Sequence, residues 1–246
     1  MQVSRSTVDP ADIQRFENLG EEWWNPRGSM RVLHEFNPQR VEWIRKIASE
    51  RLVSVASAAP LAGLTILDIG CGGGILSEAL ARLGATVTGI DPAEGNVRIA
   101  SAHAEKSGLS IEYRAVTAEE LEASGTAFDI VCAMEVVEHV TDLALFTAAA
   151  AALTRPGGLL FAATLNRTLK SFALGIVGAE YVLGWVPKGT HQWEKFVTPA
   201  ELEEALDNSG MALLERTGVV LDPLRRKWRW SRDMAINYMM AAQRIA

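Results

Sequence analysis

The spacing of apolar residues divides the chain into a helical beginning and an alternating body. Phe16, Leu19 and Trp23 fall at helical spacing after Asp9-Pro10, which supplies a cap and then a proline at the first helical position. Asn37-Pro38 repeats the device and predicts a second helix, with Val41, Ile44, Ala48, Leu52 and Val55 on one face. Between them, Glu21 to Asn37 carries Trp23, Trp24, Gly28 and His34 and reads as a loop that folds over something.

From Leu64 the pattern changes to short β-branched runs. Leu64-Ile69, Thr86-Ile90, Ile111-Val116, Phe128-Met134 and Gly158-Leu165 read as strands, with helices around Ile75-Leu83, Glu94-Ser107 and Asp142-Leu153. Strands alternating with helices predict a parallel sheet covered on both faces. Thr198-Pro199-Ala200-Glu201 is a capping box that should open a helix to about Asn208, stopped by Gly210. Met211-Leu221 and Ala235-Arg244 then read as two final strands pairing across a long connection. One domain over 1–246 is expected, with residues 1–60 as a helical cap and 166–197 as an insert or lid.

Composition narrows the class. The 246 residues are 48% hydrophobic and 22% charged, the balance of a globular protein. Two cysteines, Cys71 and Cys132, are too few for a disulfide framework or a cysteine zinc site. The net charge of -6 argues against nucleic acid as a partner. Residues Met1 to Ala11 lack the apolar run of a signal peptide, so a cytoplasmic location is expected.

Chemistry concentrates first at Leu67-Asp68-Ile69-Gly70-Cys71-Gly72-Gly73-Gly74, which closes the first strand and opens a helix. Gly70, Gly72 and Gly74 allow a tight turn and close approach to a ligand. Asp91 ends the second strand, where a carboxylate can accept hydrogen bonds from both hydroxyls of a ribose. The dinucleotide fingerprint would need a glycine at 75, which is Ile75, and Asp68 would repel a diphosphate. A cationic ligand such as S-adenosylmethionine, with its sulfonium and amino groups, suits Asp68 better. These residues resemble the class I S-adenosylmethionine-dependent methyltransferases. The resemblance implies an α/β Rossmann-like fold: a seven-stranded, mostly parallel sheet with its last strand antiparallel, plus the N-terminal helices and the insert after strand five. It also places Thr117-Ala118-Glu119 toward the adenine.

After the fourth strand, Glu135, Glu138 and His139 stand at i, i+3 and i+4, so a helical turn would aim all three to one side. Two readings stay open: ligands of a divalent cation such as Mg²⁺ or Mn²⁺, or helix-start acids with His139 as an orienting group.

Longer strings narrow the family further: Phe16 to Trp24, Leu33 to Arg40, Thr164-Leu165-Asn166-Arg167, Val177 to Tyr181 and Val186 to His191. Together they resemble the ubiquinone-biosynthesis O-methyltransferases over roughly residues 7 to 245. That resemblance implies methylation of ring hydroxyls on polyprenyl catechol and demethylubiquinol intermediates. It places Arg40, Gly70, Asp91 and Met134 on S-adenosylmethionine, and Glu135, Glu138 and His139 on Mg²⁺. Catalysis would then fall to Glu135 and His139, with His191 a second candidate base.

Two segments suggest a surface partner. Phe172 to Val186 is a largely apolar stretch, interrupted by Glu180 and shorter than the roughly 20 residues of a spanning helix. It suits a membrane interface, an isoprenoid tail or an ordinary lid. Arg225, Arg226, Lys227, Arg229 and Arg232 interleave with Trp228 and Trp230, which would share one face if the chain is extended. Anionic phospholipid on the inner face of the membrane is the favoured partner for this patch, with RNA stacking and plain solvation as the alternatives. Alternatives to the whole reading are a nicotinamide oxidoreductase, a methyltransferase of another lipophilic phenol, and a non-catalytic lipid- or cofactor-binding module of a biosynthetic complex.

Overall fold

The computed structural model describes residues 6–53, 59–173, 193–222 and 227–245. Its strands are β1 (Thr65–Ile69), β2 (Thr86–Ile90), β3 (Glu112–Arg114), β4 (Phe128–Met134), β5 (Thr154–Leu165), β6 (Met211–Asp222), β7 (Lys227–Ser231) and β8 (Asn237–Arg244). Its helices are α1 (Pro10–Glu17), α2 (Arg31–Arg51), α3 (Ile75–Arg82), α4 (Glu94–Lys106), α5 (Ala118–Glu122), α6 (Leu143–Ala152), α7 (Leu169–Ser171) and α8 (Pro199–Asn208). All eight strands join one sheet in the order β3-β2-β1-β4-β5-β8-β6-β7. β1 to β5 run parallel, and β8 enters antiparallel between β5 and β6.

The sheet is buried on both faces. Helices α5, α6 and α8 cover one with Leu121, Phe146, Leu202 and Leu206. On the other face α2 and α3 bring Trp43, Ile44, Leu76 and Leu80 against Ile66, Ile130, Phe161 and Met239. Trp43 meets Phe161 edge-on, with ring centres 5.6 Å apart. A fully buried side chain of this size stabilises the fold by about 1.5–3 kcal/mol.

The structure corrects the sequence expectation at three places. First, α2 starts at Arg31 and runs through Pro38. Asn37 does not cap it, because its side-chain amide donates to the Ile75 carbonyl at 3.1 Å. Packing of the whole helix on the sheet outweighs the backbone hydrogen bond that Pro38 cannot donate. Second, the third strand shrinks to three residues, whereas the fifth begins earlier, at Thr154, beside Phe128. Third, among the described residues the sheet has eight strands where seven were expected. The basic, tryptophan-rich segment forms β7, antiparallel to β6.

Trp228 and Trp230 do share a face of β7, but that face turns toward α2. The Trp230 indole N–H donates to the Gln39 carbonyl at 3.3 Å, and the Trp228 ring lies 5.6 Å from that of Phe36. The tryptophans are spent on the helix, which removes them from any nucleic-acid stacking surface and leaves Lys227 and Arg229 exposed. Cys71 and Cys132 are free and buried, and burial pushes both thiols well above their usual pKa.

Candidate active site

The carboxyl ends of β1, β2 and β4 open into a cavity of about 840 Å³, roofed by α1, the turn Gly20–Trp24 and α2. Its floor is the glycine loop. Gly70 and Gly72 have φ of +67° and +52°, a region that side chains rarely adopt. A Cβ on Gly72 would also stand 2.5 Å from the Trp23 ring, which lies over the loop. Trp24 holds the same loop through its indole N–H, 2.8 Å from the Gly73 carbonyl.

Asp91 is the fixed point beside the loop. One carboxylate oxygen accepts from the Gly72 N–H at 3.0 Å; the other accepts from the Ala93 N–H at 2.9 Å and the Asn96 amide at 3.1 Å. Asn96 in turn accepts from the Trp23 indole at 2.9 Å, so the roof and the acid are held together. Burial raises the Asp91 pKa against those hydrogen bonds. Asp68 is buried deeper still, and burial carries its carboxyl to about 7 despite a hydrogen bond from Ser77 and the charge of Arg40. A buried carboxylate whose charge is costly is stabilised by a cationic ligand.

Around this floor several cavity-lining residues keep buried polar atoms without a partner among the described residues: Asn37 Oδ1, Arg40 Nε, Glu119 Oε2 and Glu138 Oε1. Leaving such groups unsatisfied costs about 1–3 kcal/mol each, and a polar ligand would recover part of that. The other Glu119 oxygen accepts from Thr7 at 2.6 Å, which fixes the acid where an adenine is expected. Met134, nearly buried, ends β4 at the cavity wall.

Glu135, Glu138 and His139 all line the cavity, yet one helical turn does not gather them. Glu135 takes a left-handed φ of +58°, and only Val137–His139 form a short 3-10 turn. Each side chain has its own partner. Glu135 pairs with Arg40 at 2.8 Å, Glu138 accepts from Thr164 at 2.8 Å, and His139 Nδ1 lies 3.2 Å from Asp12 Oδ2. Among the described residues no group of three His, Cys, Asp or Glu side chains is placed to hold a metal ion. The expected Mg²⁺ ligand set does not fit the geometry, because the left-handed Glu135 keeps the three side chains from converging on one point.

Glu138 is only 3% exposed, and burial together with the nearby Glu135 charge pushes its carboxyl pKa up. For His139, burial pulls the imidazole pKa down, but the hydrogen bond to Asp12 and the charges of Glu138 and Asp12 raise it overall. His191 lies outside the described residues, as do most of the insert and Arg225 and Arg226.

Comparison with known proteins matches this arrangement. A methyltransferase-domain family model covers residues 12–216. The chain is 56% identical over 241 residues to the ubiquinone biosynthesis O-methyltransferase of Methylobacterium sp. (strain 4-46), covering 98% of this chain and 97% of that one. Identity to the protein of the same name from Rhizobium leguminosarum bv. trifolii (strain WSM2304) is 54%, over 99% and 97% of the two chains. The chain belongs to the ubiquinone biosynthesis O-methyltransferases. Magnesium protoporphyrin IX methyltransferase from Synechocystis PCC 6803, solved with bound S-adenosylhomocysteine, shares the fold at a TM-score of 0.63 and 22% identity, over 88% of this chain and 85% of that one.

As a ubiquinone biosynthesis O-methyltransferase the chain takes S-adenosylmethionine as methyl donor. Some functional neighbours escaped the sequence reading. Asp12 carried a signal only as an acid in the first turn of a helix, and Asn96 carried none. Trp23 and Trp24 stood out as a pair in a loop that reads as folding over something, and they lie against the glycine loop.

Proposed function

We propose that the cavity transfers the methyl group of S-adenosylmethionine to a ring hydroxyl of a polyprenyl catechol or demethylubiquinol, with His139 as the base that accepts the phenolic proton. The observation that carries this is the His139–Asp12 contact, in the same cavity as the glycine loop and Asp91. Asp12 engages Nδ1, and Nε2 has no hydrogen-bond partner among the described residues. The donor supplies an already activated methyl. This chain's residues must position the acceptor and remove one proton, because a phenol titrating near ~10 is mostly protonated at neutral pH. In the balanced step the O–CH₃ bond forms as the S–CH₃ bond breaks, and the proton passes to His139.

Asp91 and Gly72 would hold the donor's ribose side, Gly70 and Met134 the crevice wall, Glu119 its adenine, and Asp68 with Arg40 and Asn37 its charged end. Glu135 would act through Arg40, which it fixes. No step is routed through Mg²⁺, whose expected ligands do not converge among the described residues. Methyl transfer to a short-tailed catechol, followed by mass spectrometry, tests the reading. Absence of a methyl ether would favour a non-catalytic module, and acceptance of unrelated lipophilic phenols alone would reassign the substrate.

The same reading places the protein at the inner membrane face, where its lipophilic acceptor partitions, and in reach of other enzymes of the pathway. Leu169 and Phe172, at the start of the insert, are 82% and 45% exposed, and apolar exposure of that kind supports a lipid contact. Among the described residues no helix is long and apolar enough to cross a membrane.

A further inference from the structure

The lining of the cavity does not end at the glycine loop and the strand ends. Beyond the Glu135–Arg40 pair it takes in residues of α2 and of the β6–β7 hairpin, which form a second arm of the site. Arg40 lies over the Phe36 ring at 4.3 Å, and Phe36 meets Trp228 at 5.6 Å, so these three make a continuous wall from the reacting end to β7. The apolar lining here is continuous in kind: Met30, just before α2, and Leu33 from α2 add to Phe36, and Val219 and Leu221 from β6 stand with Trp228. Leu221 is 37% exposed, and Arg229 beside it in sequence to Trp228 is exposed as well.

The donor has no use for such a surface, since its sulfonium, amino, carboxylate and ribose groups all seek polar partners. A catechol ring would not fill it. An apolar arm that starts at the acceptor's reacting position and ends in an apolar mouth matches a long hydrocarbon substituent on that acceptor. Strand β7 supplies one wall, which gives a function to an element that the seven-stranded expectation lacked.

We propose that this arm binds the isoprenoid tail of the acceptor, with Phe36, Val219 and Trp228 as its walls and Leu221 at its mouth. This rests on the reading of the acceptor as a polyprenyl catechol or quinol and adds where the tail lies. It places the tail along the hairpin, so the ring enters the site from the β6–β7 side. Trp228 and Leu221 act on the tail and not on the reacting atoms, so their effect belongs to KM for tailed acceptors.

The test is steady-state kinetics of the full chain with a tail-less catechol and with a catechol carrying several isoprene units in detergent micelles. The readout is the ratio of KM for the tailed acceptor to KM for the tail-less one. Trp228→Ala should raise this ratio about tenfold, with kcat for the tailed acceptor changed far less, because loss of a few buried methylene contacts is worth roughly that factor. Leu221→Gln, at an exposed position that cannot disturb the core, should raise it about threefold, and it keeps the test decisive if Trp228→Ala does not fold. An unchanged ratio in the folded variants, or an equal rise in both KM values, overturns the tail site. Failure of the parent protein to methylate either acceptor would instead remove the reading on which it rests.

Discussion

The imidazole of His139 and the carboxylate of Asp12 lie 3.2 Å apart across 127 residues of sequence. The contact joins the N-terminal helix α1 to the turn after β4. It is reinforced by the bridge between Val8 and Val140 and by Lys195, whose ammonium is 2.8 Å from Asp9 and 3.7 Å from Asp12. The N-terminal segment is thus a working wall of the site.

If His139 is the base, His139→Ala should lower kcat by about 10²–10⁴-fold while S-adenosylmethionine still binds. Asp12→Asn should lower kcat less. Because Asp12 raises the His139 pKa, its loss should also move the acid limb of the kcat profile to lower pH. Unaltered pH profiles in Asp12→Asn, read alongside calorimetric binding of the donor, would assign the proton to another group.

If Asp68 faces the donor's charged end, donor binding should depend on pH. Its folded pKa of about 7 lies above that of an exposed aspartate, so the unliganded protein binds a proton there that the unfolded chain has lost. The associated stability is full below the ordinary carboxylate pKa and is lost as pH rises through 7. A cationic ligand favours the ionised form, so affinity for S-adenosylmethionine should rise about fivefold to tenfold from pH 6 to 7.5, with proton release. Calorimetry in buffers of different ionisation enthalpy measures both, and Asp68→Asn should flatten the dependence.

Asp91→Ala should weaken donor binding at least tenfold, or about 1.4 kcal/mol. It removes the expected ribose acceptor and also frees the Gly72 N–H and Asn96 that Asp91 holds. Trp23→Phe keeps the ring over the loop and loses only the indole bond to Asn96. A smaller loss is expected there, and equal affinity of Asp91→Ala and the parent by calorimetry would contradict the assignment.

Glu135, Glu138 and His139 line the cavity without converging, which leaves little to hold a cation on the unliganded protein. Titration with Mg²⁺ or Mn²⁺ alone should show a Kd no tighter than about 1 mM. Micromolar binding, lost in Glu138→Gln, would mean that the three side chains gather around the ion.

Vesicle flotation checks the proposed membrane contact. Leu169→Ser with Phe172→Ser should reduce association with all vesicles. Replacing Lys227 and Arg229 by glutamine should remove part of a preference for anionic lipid, about 1 kcal/mol for each cation near the surface and less at high salt. Equal flotation of all variants would place the lipid contact elsewhere.

The glycine loop and Asp91 were legible in the sequence because their roles are set locally, by backbone conformation and strand ends. The capping box at Thr198 was legible for the same reason, and α8 begins where it predicts. What stayed hidden depends on partners far along the chain. Nothing near Pro38 announces that α2 runs through it, since the stabilising contacts come from the sheet. Asp12 finds His139 only when the fold closes. The i, i+3, i+4 spacing of Glu135, Glu138 and His139 pointed to a shared helical face, and the left-handed Glu135 removes that face. Alternation at Trp228 and Trp230 was readable, but their burial against α2 required the pairing of β7 with β6.

The central place of β8 sets an order for synthesis. Tyr238, Met239, Met240, Ala241 and Ala242 are fully buried, and their strand fills the gap between β5 and β6. Until residues 237–244 have left the ribosome, β5 presents a bare apolar edge and the β6–β7 hairpin has nowhere to dock. An incomplete chain holding the donor loop, its acid and the proposed base would therefore still expose the kind of unpaired edge on which nascent proteins aggregate. The catalytic half of the molecule waits on residues 237–244 before it can close.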